Sequence, residues 1–148
     1  MAEEYLEGIV ARGRRMASGL NDLPASEIIN DTIRKQKPFF ERVVPRIAEA
    51  FNGTVNIDVS PTQLTIIGPD HEITCEWEKD ITETFWLVEA SLRHLGRDYQ
   101  GWMYYPCPGP LKKHNNGIIE FLAPPIGRLS YGDSVRFGYS PDKIHVTR

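Results

Sequence analysis

The sequence predicts an α+β fold: N-terminal helices, an antiparallel β-meander, one central helix packed on the sheet, then further antiparallel strands that extend the sheet or curl it into a partial barrel. Three observations carry this expectation. Apolar residues between 80 and 96 recur at helical spacing; between 54 and 79 the apolar period is two; and beyond 97 short apolar runs are separated by Pro- and Gly-rich turns. The 148 residues suit a single domain, 1–148, read as a helical part over 1–53, a meander over 54–79, the central helix over 80–96 and C-terminal strands over 97–148.

In the first part, Leu6, Ile9 or Val10, Met16 and Leu20 recur at helical spacing, with Glu3, Glu4 and Glu7 early and Arg12, Arg14 and Arg15 late, as a helix dipole prefers. Gly8 and Gly13 each weaken such a helix by about 1 kcal/mol relative to alanine. After the turn Asn21 to Pro24, Ser26 offers an N-cap for a helix carrying Ile28, Ile29 and Ile33. Pro38 suits the start of a further helix with Phe40, Val43 or Val44, Ile47 and Phe51 on its apolar side, kinked at Pro45.

From Thr54 the pattern alternates. Val55, Ile57 and Val59 form one run, Leu64 and Ile66 a second, and Ile73, Cys75 and Trp77 a third, joined by turns at Ser60-Pro61 and Gly68-Pro69-Asp70. Read as a meander, the three runs share one apolar face and one acidic face.

The stretch DITETFWLVEASLRHLG is the best-marked helix. Ile81, Phe85, Val88, Leu92 and Leu95 make one stripe; Asp80 stands at the N-cap with Glu83 three residues on; Glu89 and Arg93 form an i,i+4 pair; His94 suits the C-terminus and Gly96 the terminating turn. Trp86 falls roughly 140° from that stripe. Either the helix is sandwiched between the sheet and the N-terminal helices, which is the expectation, or Trp86 is an exposed anchor for a partner.

Beyond the helix, Trp102 to Tyr105 reads as a strand packed on both faces. Pro106, Pro108 and Pro110 then stiffen the chain before the polar loop LKKHNNG, and Gly117 to Leu122 is another strand. Val135, Phe137 and Tyr139 with Ile144 and Val146 predict a last hairpin around Ser140-Pro141-Asp142. The stretch GDSVRFGYSPDKIHV resembles the terminal hairpin of TOBE modules, small barrels of some transporter ATPases, over about a tenth of the chain, and no family is assigned on it.

Composition is that of an ordinary globular chain, 41% hydrophobic and 25% charged, with no apolar run of membrane-spanning length. The acidic start MAEEYLEG has no export-signal character, so a cytoplasmic location is expected and no membrane partner. Net charge is −3, distributed as 0 over residues 1–53 (8 basic, 8 acidic), −6 over 54–98 (3 and 9) and +3 over 99–148 (6 and 3). The net value argues against general nucleic-acid binding, whereas the basic C-terminal third would attract phosphate and keeps nucleic acid as the weaker partner reading.

No cofactor or metal is expected. GxxxxGK[ST], GxGxxG and HExxH are absent, Cys75 and Cys107 stand outside any CxxC spacing, and His71-Glu72 is too short for a metal site. PCPGP holds half of the deaminase PCxxC and lacks its second cysteine.

Two function classes remain, and catalysis is the weaker. His114 and His145 could serve as base and acid for RNA transesterification, with Lys112 or Lys113 and Arg136 holding phosphate; this is a metal-independent phosphodiesterase reading. The favoured class is a small non-catalytic interaction protein of inhibitor, immunity or accessory type. It would bind a protein partner with a basic surface through an acidic sheet face, Asp58, Glu72, Glu76 and Glu78, together with the aromatic anchor Trp86. A homo-oligomer is compatible with the same anchor, and a small-ligand pocket lined by Trp77, Trp102 and Tyr104 is a third reading.

Overall fold

A computed structural model describes residues 3–11, 31–107 and 117–147. Within them the chain forms β1 (Glu4–Ala11), one helix α1 (Asp31–Glu41), a 3-10 turn (Pro45–Glu49), β2 (Val55–Asp58), β3 (Gln63–Ile66), β4 (His71–Glu78), β5 (Ile81–His94), β6 (Arg97–Pro106), β7 (Ile118–Leu122), β8 (Ser134–Tyr139) and β9 (Ile144–Thr147). Seven strands make one antiparallel sheet in the order β4-β5-β6-β7-β2-β1-β8, with α1 packed on it, and β3 pairs with β9 separately. Strand β8 also pairs with β5, through Ser91↔Gly138, Leu92↔Phe137 and Arg93↔Arg136, so the ladder returns on itself while β4 stays outside that circuit.

The predicted central helix is the main correction: residues 81–94 are the long strand β5. Its helical stripe is produced by a strand buried on both faces along different parts of its length. Phe85 and Leu87 pack on the α1 side, whereas Val88, Ala90 and Leu92 point into the core enclosed by the circuit. Crossing from one buried face to the other puts apolar residues three apart, which imitates a helix. Thr82, Thr84, Phe85, Trp86 and Val88 are strand-favouring side chains, and their preference prevails once partners exist on both sides. The supposed caps are turns. Asp80 (φ 64°) lies in the turn just before β5, with its N–H donated to Glu76 Oε2 at 3.1 Å, and Leu95 (φ 50°) with Gly96 (φ 78°) forms the two-residue turn that pairs His94 with Arg97. Glu89 meets Arg46 rather than Arg93, and Arg93 meets Asp98, each at 3.3 Å. His94 is buried, its Nε2 3.1 Å from Asp133 Oδ2.

The N-terminal part is corrected as well. The expected first helix is β1 as far as Ala11; Leu6 and Val10 are buried, and a side chain on Gly8 between them would meet Ile57 Cγ2 at 2.5 Å. Glycine is therefore a packing requirement of a strand, not the weak point of a helix. The remainder of that prediction, with Ser26, Ile28 and Ile29, lies outside the described residues. Pro38 sits inside α1 instead of starting a helix, and Pro45 opens the 3-10 turn; Ile33, Phe40, Val44 and Ile47 are buried as their spacing implies.

All three strands of the expected meander exist, but they do not pair with one another. Strand β2 lies between β1 and β7, β3 pairs with β9, and β4 pairs with β5. Alternation reveals a strand and its buried face; it does not reveal the neighbour. The last hairpin is corrected for the same reason: the chain turns at Ser140 to Lys143, yet β8 joins the large sheet and β9 goes to β3. Strand β6 does carry Gly101 to Tyr104 buried on both faces. Two cores result. One lies inside the circuit around Ile57, Leu92, Phe121 and Phe137; the other, around Phe40, Phe85, Trp102 and Tyr104, fills the layer between sheet and α1.

Candidate functional site

Where β4 extends the sheet, the side chains on the face away from α1 are, among the described residues, neither covered by a helix nor enclosed by the circuit. Residues paired across strands share a face, so Glu72↔Trp86, Thr74↔Thr84 and Glu76↔Thr82 on β4 and β5, with Trp86↔Tyr105 on β5 and β6, define one continuous surface. Thr84 and Trp86 are in phase with Val88 and Leu92, so this surface continues the inner side of the sheet past the point where the core ends.

Trp86 is half-buried and held from two sides. Its Nε1–H donates to Glu72 Oε1 at 2.8 Å, and its ring stacks on Tyr105 with centroids 5.8 Å apart and planes inclined by 20°. The threonine hydroxyls of 74 and 84 are 2.8 Å apart. A tryptophan whose polar group is satisfied and whose rotamer is fixed offers a rigid apolar plate, with Glu72 and Glu76 on the exposed strand beside it.

Cys107 closes this surface at the end of β6, donating its N–H to Thr84 O at 2.8 Å. Burial, and then the Glu72 carboxylate, push its thiol above the ordinary cysteine range; burial, and then Cys107, do the same to the Tyr105 hydroxyl. A thiol held protonated at neutral pH is a poor nucleophile.

The other residues singled out from the sequence are dispersed. Asp58 lies on β2, separated from β4 by β5, β6 and β7 in the ladder order, and accepts the Ser60 N–H at 2.9 Å. Glu78 follows a register shift in β4 and forms an ion pair with Lys35 of α1. The expected acidic quartet is thereby reduced to Glu72 and Glu76, joined by Trp86. The expected sandwich of Trp86 is corrected too, since α1 covers the opposite face, that of Phe85 and Leu87.

His145 is exposed on β9 and lines a cleft of about 420 Å3 with Glu4 and Tyr139. His114, Lys112 and Lys113 lie outside the described residues. Arg136 pairs with Glu7 at 3.5 Å and stands opposite Arg93, whose own partner is Asp98; the row across β1, β8, β5 and β6 reads Glu7, Arg136, Arg93, Asp98, so each arginine has a carboxylate on its outer side. Glu7, Arg93, Arg136, Asp58 and Ser134 border a second cleft of about 490 Å3.

Trp102 and Tyr104 are buried in the layer under α1, and Trp77 packs against it. The Tyr104 hydroxyl donates to Gln36 Oε1 at 2.6 Å, and Trp77 Nε1–H donates to Glu83 at 3.1 Å. These rings complete the core of that layer. Among the described residues, no three or more His, Cys, Asp or Glu side chains are placed to hold a metal ion, and no helix is long and apolar enough to cross a membrane.

Sequence reasoning missed Thr74, Thr84, Tyr105 and Cys107. Their signal was the period-two run Thr82, Thr84, Trp86, legible only if β5 is read as a strand. The chain matches no protein-family model and no curated protein.

Proposed function

We propose that this chain is a non-catalytic binding domain that docks a protein partner with a basic surface on Glu72, Glu76, Trp86 and Tyr105. The observation that carries this reading is the fixed, half-exposed indole of Trp86 between a carboxylate and a second ring. Aromatic anchors of this kind dominate the energetics of interfaces because they present large area with little side-chain entropy to lose. The flanking carboxylates favour cationic partners and repel nucleic-acid phosphates. The raised thiol of Cys107 supports binding over nucleophilic chemistry.

The test is a binding measurement with a partner captured from the native host, comparing the wild-type chain with Trp86→Ala and with Glu72→Lys, Glu76→Lys. Trp86→Ala should weaken association by about 2 kcal/mol or more. The charge reversal should slow association at low salt and have less effect at high salt. Unchanged affinity in both variants would remove the proposal.

A further inference from the structure

We infer that the partner docks as an added β-strand along the free edge of β4, and that the docked segment is extended, with basic residues at alternate positions and apolar residues between them. This rests on the docking reading above and specifies its geometry.

The direction of the β4 backbone follows from one hydrogen bond. Cys107 N–H donates to Thr84 O, so the backbone groups of Thr84 point toward β6. Successive residues of a strand direct their N–H and C=O to opposite sides, so Glu83 and Phe85 serve β4, where Cys75 and Ile73 are their partners. On β4 itself, Glu72 and Thr74 therefore turn their N–H and C=O outward, and Glu76 follows in the same phase. Among the described residues β4 pairs only with β5, which leaves this row open to another chain.

The same three residues place their side chains on the Trp86 face. A guest residue directly opposite Glu72 or Glu76 thus brings its side chain against a carboxylate, while the guest residues between them lie beside Ile73 and Cys75, whose side chains belong to the apolar layer under α1. Strand β4, HEITCEWE, contains no lysine or arginine; Lys79 and Asp80 follow it in the turn and offset each other, and Glu78 is paired with Lys35, so the charge facing the open edge is that of Glu72 and Glu76. The charge that complements this edge is positive. A second copy of the chain is a poor occupant: antiparallel self-pairing centred on Thr74 sets Glu72 of each copy opposite Glu76 of the other, and like charges directly opposite are destabilising.

The test uses the whole chain and a synthetic peptide, acetyl-Lys-Val-Lys-Val-Lys-Val-Lys-amide, with a second peptide N-methylated at alternate residues so that side chains are kept and strand hydrogen bonds are lost. The first peptide should bind and slow hydrogen exchange at the Glu72 and Thr74 amides while leaving Ile73 and Cys75 as they were. N-methylation should weaken binding by about tenfold or more, as expected for losing main-chain hydrogen bonds. Glu72→Lys, Glu76→Lys should lose the lysine peptide and accept the corresponding glutamate peptide.

Several results would overturn the inference: exchange at Glu72 and Thr74 already slow in the chain alone, or slowed only by self-association; binding indifferent to N-methylation; or no binding at millimolar peptide. If Trp86→Ala abolishes peptide binding while N-methylation and the Glu72 and Thr74 amides show no effect, the docking face stands and strand addition falls. If native partner binding ignores Trp86 and the carboxylates, the docking face itself falls.

Discussion

Trp86 and Phe85 are neighbours in sequence and point to opposite faces, so truncating each gives a different result. Phe85 is fully buried between sheet and α1, its ring 5.1 Å from that of Phe40, and Phe85→Ala should cost about 3–5 kcal/mol. Trp86→Ala removes one ring stack and part of a half-buried surface, so urea denaturation should show a loss of about 1–2 kcal/mol. A loss as large as that of Phe85→Ala would mean that Trp86 is fully covered. The thiol of Cys107 reports on the same surface: because burial and Glu72 both raise its pKa, alkylation should be slow at neutral pH and accelerate as pH rises into the alkaline range. Glu72→Gln removes the smaller of the two causes and should speed alkylation without restoring an ordinary thiol. Tyr104 makes the corresponding case for stability, since burial pushes its ionisation far above the ordinary tyrosine range. The folded state holds Tyr104 neutral, whereas the unfolded chain can ionise it above about pH 10, so its contribution is complete below that pH and declines above it. Tyr104→Phe should flatten this alkaline decline, while at neutral pH costing about 1–3 kcal/mol because the buried Gln36 loses its donor.

At the scale of elements, the strands of the meander region and of 97–122 were legible because alternation and turn residues are local signals. The pairing was not legible, because a strand such as β2 finds β1 and β7 across dozens of residues, and nothing in its own four residues names them. Strand β5 was misread for a more specific reason. Ile81, Phe85, Val88, Leu92 and Leu95 satisfied a helical wheel only because Phe85 serves one core and Val88 and Leu92 the other, while Ile81 and Leu95 are exposed. The candidate site followed the same boundary: Glu72, Glu76 and Trp86 were found by type, but their meeting, and Tyr105 with them, depended on β5 being a strand. The turn after β5 offers a check of its own. Leu95 and Gly96 both have positive φ, the requirement of a two-residue type I′ connection, and a leucine there is strained where asparagine is not. Leu95 is also 70% exposed, so little packing is lost by replacing it. Leu95→Asn should raise stability by about 0.5–1 kcal/mol, read as a higher urea midpoint with unchanged slope. A helix over 80–96 would predict the reverse, since asparagine is the poorer helix former.

At the scale of the whole molecule, the circuit of strands is joined most briefly between β6 and β7, through Trp102↔Leu122 and Met103↔Phe121, while β5 to β8, like β1 to β2, is joined through three pairs. A glycine lies at the β5–β8 junction and another at the β6–β7 junction. Gly138 faces Ser91, and a Cβ there would sit 2.3 Å from Ser91 Oγ; Gly101 adjoins β7, and a Cβ there would sit 2.1 Å from the Leu122 carbonyl oxygen and 2.8 Å from Phe121 Cζ. The obstacles differ in kind. A serine hydroxyl can rotate away at the cost of one rotamer and its contacts with Glu3, both 3.3 Å, whereas the Leu122 carbonyl moves only with the β7 backbone and with Phe121, which is fully buried in the enclosed core. Gly138→Ala should therefore cost about 1 kcal/mol and Gly101→Ala about 3 kcal/mol or more, at the upper end of overpacking penalties. Hydrogen exchange locates the damage: in Gly101→Ala the amides of Phe121 and Leu122 should lose protection before those of β4, because among the described residues β4 joins the sheet only through β5 and shares no pair with β7. Equal losses in the two variants, or β4 opening first, would show that the junction between β6 and β7 is not the joint on which the circuit depends.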